Sequence, residues 1–168
     1  PSPAPPVSTL NKVNRIAAIQ STTWPGFPGT ICIDDIVGDD QICHTGENQY
    51  LETNPDIWIS VQIPSNTTVK YVQIYNRVRN SGVTQSTWEQ SGPFRVYISS
   101  FHAGDISSST STPCVVGDVD FPDYSLSQFG PITIECNPGI KGEFVTIYKQ
   151  NSAREKTWMH FEEIYIFN

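Results

Sequence analysis

Residues 57–63 read Ile-Trp-Ile-Ser-Val-Gln-Ile, with an aliphatic side chain at every second position. A period of two marks a strand with one buried face, because successive side chains of an extended backbone point to opposite sides. A helix would scatter Ile57, Ile59, Val61 and Ile63 around its circumference. Runs at 14–19, 69–75, 94–99, 132–136, 144–148 and 161–167 repeat the theme with β-branched and aromatic residues. The stretches between them are rich in Pro, Gly, Ser and Thr, which break helices and make turns. We therefore expect an all-β protein, an antiparallel β-sandwich of two packed sheets with no long amphipathic helix.

A chain of 168 residues can bury one sizeable core. Pro1-Ser2-Pro3-Ala4-Pro5-Pro6 has the composition of a stiff extended linker, so the expected organisation is a linker at 1–13 and one domain at 14–168. Residues 20–55, broken by Pro25-Gly26, Pro28-Gly29 and Gly38, read as loop. A loop that long in a compact domain is functional or tied down by bridges or a metal. Residues 107–113 read as a polar loop without chemistry.

The formal charge of −7 repels phosphate backbones and anionic headgroups, which argues against nucleic acid and against a polybasic membrane contact. No apolar run reaches the roughly 18 residues of a membrane span, and no charged-then-apolar leader opens the chain, as expected of a mature product or a module from a longer protein. Four cysteines occur without CxxC spacing, so disulfides in an oxidising compartment are expected. The Asn66-Thr67-Thr68 sequon between two strand runs agrees with secretion. Enzyme signatures are missing: there is no GxSxG, HExxH or phosphate loop. Glu162 and Glu163, adjacent on a strand, point to opposite faces and cannot form an acid–base couple. His102 and His160 have no nucleophile beside them in the sequence.

A set of segments in order carries more information than any one of them: Ala18-Ile19-Gln20-Ser21-Thr22, Cys32-Ile33-Asp34-Asp35, Cys43-His44-Thr45, Asn76-Arg77, Gly92-Pro93-Phe94-Arg95-Val96, Gly142-Glu143-Phe144 and Glu163-Ile164-Tyr165-Ile166. This succession resembles the F-type lectins, or fucolectins, within the discoidin-like (coagulation factor F5/8 type C) jelly rolls. The resemblance implies a jelly roll with a shallow pocket in which a His and two Arg side chains bind L-fucose. It also implies a structural calcium ion. His44 falls on the family's His and Arg77 on its first Arg. Where the family has an acid two residues after that Arg, this chain has Arg79. The second Arg is replaced by a longer loop, 80–91, in which Glu89 is the best-aligned residue.

A sugar pocket needs planar donors and acceptors that match vicinal hydroxyls, and an apolar wall for the ring's C–H face. His44, Arg77 and Arg79 are candidate donors to the ring hydroxyls, with Glu89 beside them. Trp88 or Tyr50 would border the apolar face. Each has a plain structural alternative: Arg77 as a clamp on Glu52, Asp56 or Glu89, His44 as a loop-bonding imidazole, Trp88 as a plug over the core. Asp34, Asp35, Asp39 and Asp40 crowd one loop, either as a solvated acidic stretch or as a cation site. The resemblance selects Asp34, supported by Asp39, with Glu163 as the C-terminal acid on Ca2+. It also implies a Cys114–Cys136 bridge, which leaves Cys32 to Cys43. The expected function is a secreted, calcium-stabilised lectin that binds glycans or glycoproteins without catalysis and gains avidity from tandem modules or a homo-oligomer. The other reading is a protein-interaction or adhesion module whose sugar pocket has been remodelled.

Overall fold

The computed structural model describes residues 10–38, 41–46, 56–77, 84–124, 130–150 and 158–168. Its strands are β1 (Ala17–Gln20), β2 (Cys43–His44), β3 (Ile57–Tyr75), β4 (Arg95–Ser99), β5 (Ser111–Pro113), β6 (Ile132–Lys149), β7 (His160–Phe161) and β8 (Glu163–Phe167), joined by a 3-10 turn at Gly29–Ile33 and one short helix, α1 (Gln85–Glu89). All pairings are antiparallel. The larger sheet runs β1-β3-β6-β4-β5 with β8 added beside β3, and β2 and β7 form a separate small ladder.

The long strands β3 and β6 organise everything else. Their register breaks between Gln62 and Thr67 and again between Val69 and Tyr71, so the pair bends. On one side of the bend, Ile57–Gln62 pair with Phe144–Lys149, flanked by β1 and β4. On the other, Tyr71–Ile74 pair with Ile132–Glu135, flanked by β8. The apolar set of β3 (Ile57, Ile59, Val61, Ile63, Val69, Val72, Ile74) is buried in one cluster with Val96, Ile98, Val145, Ile147, Ile164 and Ile166. Ser60 and Thr146, cross-strand partners in this interior, satisfy each other's hydroxyls at 2.9 Å.

Three sequence expectations change. The runs at 57–63 and 69–75 are one strand, because the sequon residues bend the chain without ending the pairing; Asn66 sits exposed at the bend with φ 61°. Residues Ser111–Pro113, expected as loop, form edge strand β5 on β4. The domain also starts before Asn14: Val13 is buried and its N–H donates to Ile166, while Asn11 accepts from Asn168. Residues 11–13 therefore belong to the domain, not to a linker.

Both disulfides form as expected, Cys32–Cys43 with a Cα–Cα distance of 5.4 Å and Cys114–Cys136 at 4.4 Å. The first ties the long connection after β1 to β2 and carries β2 against β7.

Candidate functional site

The β2–β7 ladder places His44 opposite His160, with ring centroids 5.5 Å apart. Two aromatic walls flank this pair. Trp24-Pro25-Gly26-Phe27 makes a turn in which the Phe27 N–H donates to the Trp24 carbonyl (3.0 Å) and Gly26 has φ 87°. That is the geometry of a type II turn, which takes Pro and Gly at its two centre positions. The turn is then bonded to His44 from both sides: Trp24 N–H donates to its carbonyl and its N–H donates to Phe27. The rings of Trp24 and Phe27 lie 5.5 and 6.3 Å from the His44 ring. On the other side, Thr45 and Met159 bond to each other, which sets Trp158 with its ring 6.2 Å from His44.

Arg77 follows β3 and is positioned by Asn76, whose buried side chain donates to the Trp88 carbonyl and accepts from the Arg77 N–H. Burial, opposed by the Thr45 hydrogen bond and aided by Arg77's charge, lowers the His44 pKa. Burial, then His44 and Arg77, push His160 down to about 3. Arg77 thus acts on both rings, and both are neutral at pH 7. His44 Nδ1 lies 2.5 Å from the Thr45 carbonyl. A carbonyl only accepts, so Nδ1 carries the proton and Nε2 is left as an acceptor. The expectation of His44 as a donor does not suit this tautomer, in which the remaining ring nitrogen can only accept. Arg77 Nε, Trp158 Nε1 and both His160 ring nitrogens are buried without a hydrogen-bond partner. The Thr87 backbone lies near His160 but not at hydrogen-bonding geometry. Buried donors without acceptors are uncommon. Here they share one cluster whose outer wall, Trp24, is 40% exposed.

Of the residues expected to bind, His44 and Arg77 meet here. Trp88 does not: it is 1% exposed, donates its Nε1 to the Pro122 carbonyl and packs on Phe121, so it plugs the core and cannot stack on a ligand. Its polar neighbours in sequence left wall and plug open, because the five-residue α1 turns only this side chain inward. Glu89 accepts from Gln85 and, with Trp88, Gly92, Asp120, Phe121 and Asp123, lines a cleft of about 410 Å³ rather than joining the histidine cluster. Two of the three acids named for the clamp reading do not pair with Arg77: Asp56 accepts from Tyr148 and Glu89 from Gln85. Arg79, Tyr50, Glu52 and Asp39 lie outside the described residues. Sequence reading missed Trp24, Trp158 and His160; the Trp-Pro-Gly-Phe turn signal was the clue to the first.

At the acidic loop, the donor set expected for calcium is already engaged. Arg15, with its side chain 4% exposed, reaches between Asp35 and Glu163 and forms ion pairs with both. It also donates to the Ile164 carbonyl at 2.8 Å and lies 4.7 Å over the Tyr165 ring. The second Glu163 oxygen accepts from the Asp35 N–H. Asp34, the other expected ligand, accepts from the Ile36 N–H and turns its own loop. Burial outweighs these partners and pushes the Glu163 carboxyl up to about 7. Among the described residues no three His, Cys, Asp or Glu side chains are grouped to hold a metal. Of the expected calcium set, Glu163 is thus taken up by a guanidinium and Asp34 turns away to its own loop, while Asp39 lies outside the described residues.

Comparison with solved structures places this architecture. A domain from Bacteroides fragilis described as F5/8 type C superposes with a TM-score of 0.66 at 9% identity, covering 96% of this chain and 97% of that one. The fold is discoidin-like. CpGH89CBM32-5 from Clostridium perfringens, solved with GalNAc-β-1,3-galactose, gives 0.62 at 13% identity over 90% and 94% of the two chains. A chitosan-binding module of a chitosanase/glucanase from Paenibacillus sp. IK-5 gives 0.62 at 13% over 93% and 96%. No family model and no curated protein matches the sequence.

Proposed function

We propose that this chain is a non-catalytic glycan-binding module that works outside the cell. The observation that carries the reading is the His44–His160 pair with Trp24 and Trp158 against His44 and Arg77 near enough for its charge to act on both imidazoles: an acceptor, unsatisfied donors and two flat apolar faces gather around one ring. That is the chemistry a sugar ring requires. The similar discoidin-like modules solved with GalNAc-β-1,3-galactose or named for chitosan support it at the level of the fold. The two disulfides support an oxidising compartment. Fucosylated glycans belong among the ligands to test, since His44 and Arg77 resemble the fucolectin pair. A single shallow pocket binds weakly, so avidity from several copies is part of the proposal.

A glycan array followed by titration calorimetry tests this reading. Selective binding that Arg77→Ala abolishes, in a variant that still melts cooperatively, is the expected result. A blank array from folded protein overturns the reading and favours a protein partner.

A further inference from the structure

Resting on that glycan-binding reading, we infer that the sugar held at this site bears a carboxylate, received by Arg77: an acidic glycan of the uronic acid class. The argument begins with the charge balance of the cluster. Arg77 is partly buried, its Nε is fully buried without a partner, and among the described residues no carboxylate pairs with it. A cation drawn out of water without a counter-ion is unfavourable unless something else supplies the negative charge. The carboxylates placed elsewhere in the fold are committed: Asp56 to Tyr148, Glu89 to Gln85, Glu162 to the Gly38 N–H, Glu163 to Arg15. The imidazoles that surround Arg77 are uncharged or carry the wrong sign to compensate it.

The remaining donors reinforce the same demand. Trp158 Nε1 and one His160 nitrogen are N–H groups aimed at no acceptor. The cluster is therefore short of acceptors, and a carboxylate brings two oxygens that accept several bonds at once. Guanidinium and carboxylate also match as a planar fork, which fixes the orientation of the sugar as well as its affinity. A neutral polyol would accept from Arg77 too, but would leave its charge unbalanced. His44 Nε2 then accepts a hydrogen bond from a hydroxyl of the same ring. The net charge of −7 does not oppose this, because at physiological salt its field decays within about 8 Å and Arg77 dominates at contact. In sequence, Arg79 stands two residues on, where the resembled pattern has an acid.

The test uses the purified chain and short homo-oligomers of galacturonate, glucuronate, mannuronate and guluronate, each beside its methyl ester of equal length. Calorimetry at low and moderate salt should show at least one acid bound about tenfold or more tighter than its ester, with the difference shrinking as salt rises. Arg77→Gln should bind acid and ester alike, and Arg77→Lys should keep part of the preference. Thermal melts of both variants separate lost recognition from lost folding. Equal affinity for acid and ester, or binding only to neutral or sulfated glycans, overturns the carboxylate assignment and leaves the glycan reading standing. Binding to no glycan of either kind overturns both.

Discussion

Replacing Arg15 by Met removes the cation from the buried end of β8 while keeping an unbranched apolar stem, and the structure sets the size of the effect. Glu163 is fully buried and its carboxyl is held up to about 7 even with the guanidinium beside it. Without Arg15 the acid folds protonated. At pH 7.5 the parent, with this carboxyl at about 7, already bears roughly 3 of the about 4 kcal/mol that full protonation from an ordinary 4.5 costs, so letting the acid protonate adds about 1 kcal/mol. The bonds of Arg15 to Asp35 and the Ile164 carbonyl go with it, which brings the expected loss to the lower end of the roughly 3–5 kcal/mol seen when one partner of a buried pair is removed. In a domain of this size it lowers the melting midpoint by roughly 6–16 °C. The double variant Arg15→Met/Glu163→Gln leaves no orphaned charge and should recover about half of the loss. Urea titrations of the parent, both single variants and the double variant, each with calcium and with chelator, measure this. Because the guanidinium already sits between Asp35 and Glu163, neither calcium nor chelator should move the parent's midpoint. A midpoint that falls in chelator, or an Arg15→Met loss below about 1 kcal/mol, would refute the reasoning.

Three further outcomes follow from the same geometry. Trp24→Ala should weaken glycan binding about ten- to thirtyfold in calorimetry while costing less than about 1 kcal/mol in a urea melt, because the ring is 40% exposed and contributes a wall rather than core. His160 is pushed down to about 3 in the fold against an ordinary 6.5, so below pH 6.5 the unfolded chain takes up a proton that the folded chain refuses. Stability from this group is full above that pH and falls by about 2 kcal/mol on going from pH 7 to 5, a slope that His160→Gln should remove in paired melts. Replacing Cys32 and Cys43 by Ser opens a bridge of sequence separation 11 and should cost about 3 kcal/mol by loop-closure entropy, read as the shift in urea midpoint.

The sandwich was legible because β3 writes its buried face at every second residue, and that pattern depends only on pleat geometry. The bend was not, since Pro64 and the polar residues after it look the same whether the chain turns back or merely kinks. His44 and Arg77 were legible as residues at strand ends. Trp88 stayed open between wall and plug because a helix of five residues is too short to show a period, and it is a single inward side chain among polar ones. His160 was passed over for lack of a sequence neighbour, yet its partner is a cross-strand one, His44, more than a hundred residues away. Arg15 is a charged residue inside an apolar run; only the tertiary placement of Asp35 and Glu163 explains why it is tolerated there.

The two arginines discussed here show how the fold divides structure from function. Arg15 and Arg77 both place a guanidinium partly or wholly out of water, which is unfavourable for either. Arg15 is met by two carboxylates, a carbonyl and an aromatic face, and nothing about it is left for a ligand. Arg77 acts by its charge on two neutral imidazoles, and its buried Nε has no hydrogen-bond partner. If both arginines were structural, selection for stability would favour giving Arg77 the same treatment, or replacing it with an apolar side chain. Among the described residues the fold compensates Arg15 fully and gives Arg77 no carboxylate, which is the contrast the proposed ligand site rests on. On the proposed carboxylate recognition, an acidic glycan should therefore raise the melting temperature of the parent by more than that of Arg77→Gln, while its methyl ester raises the two alike.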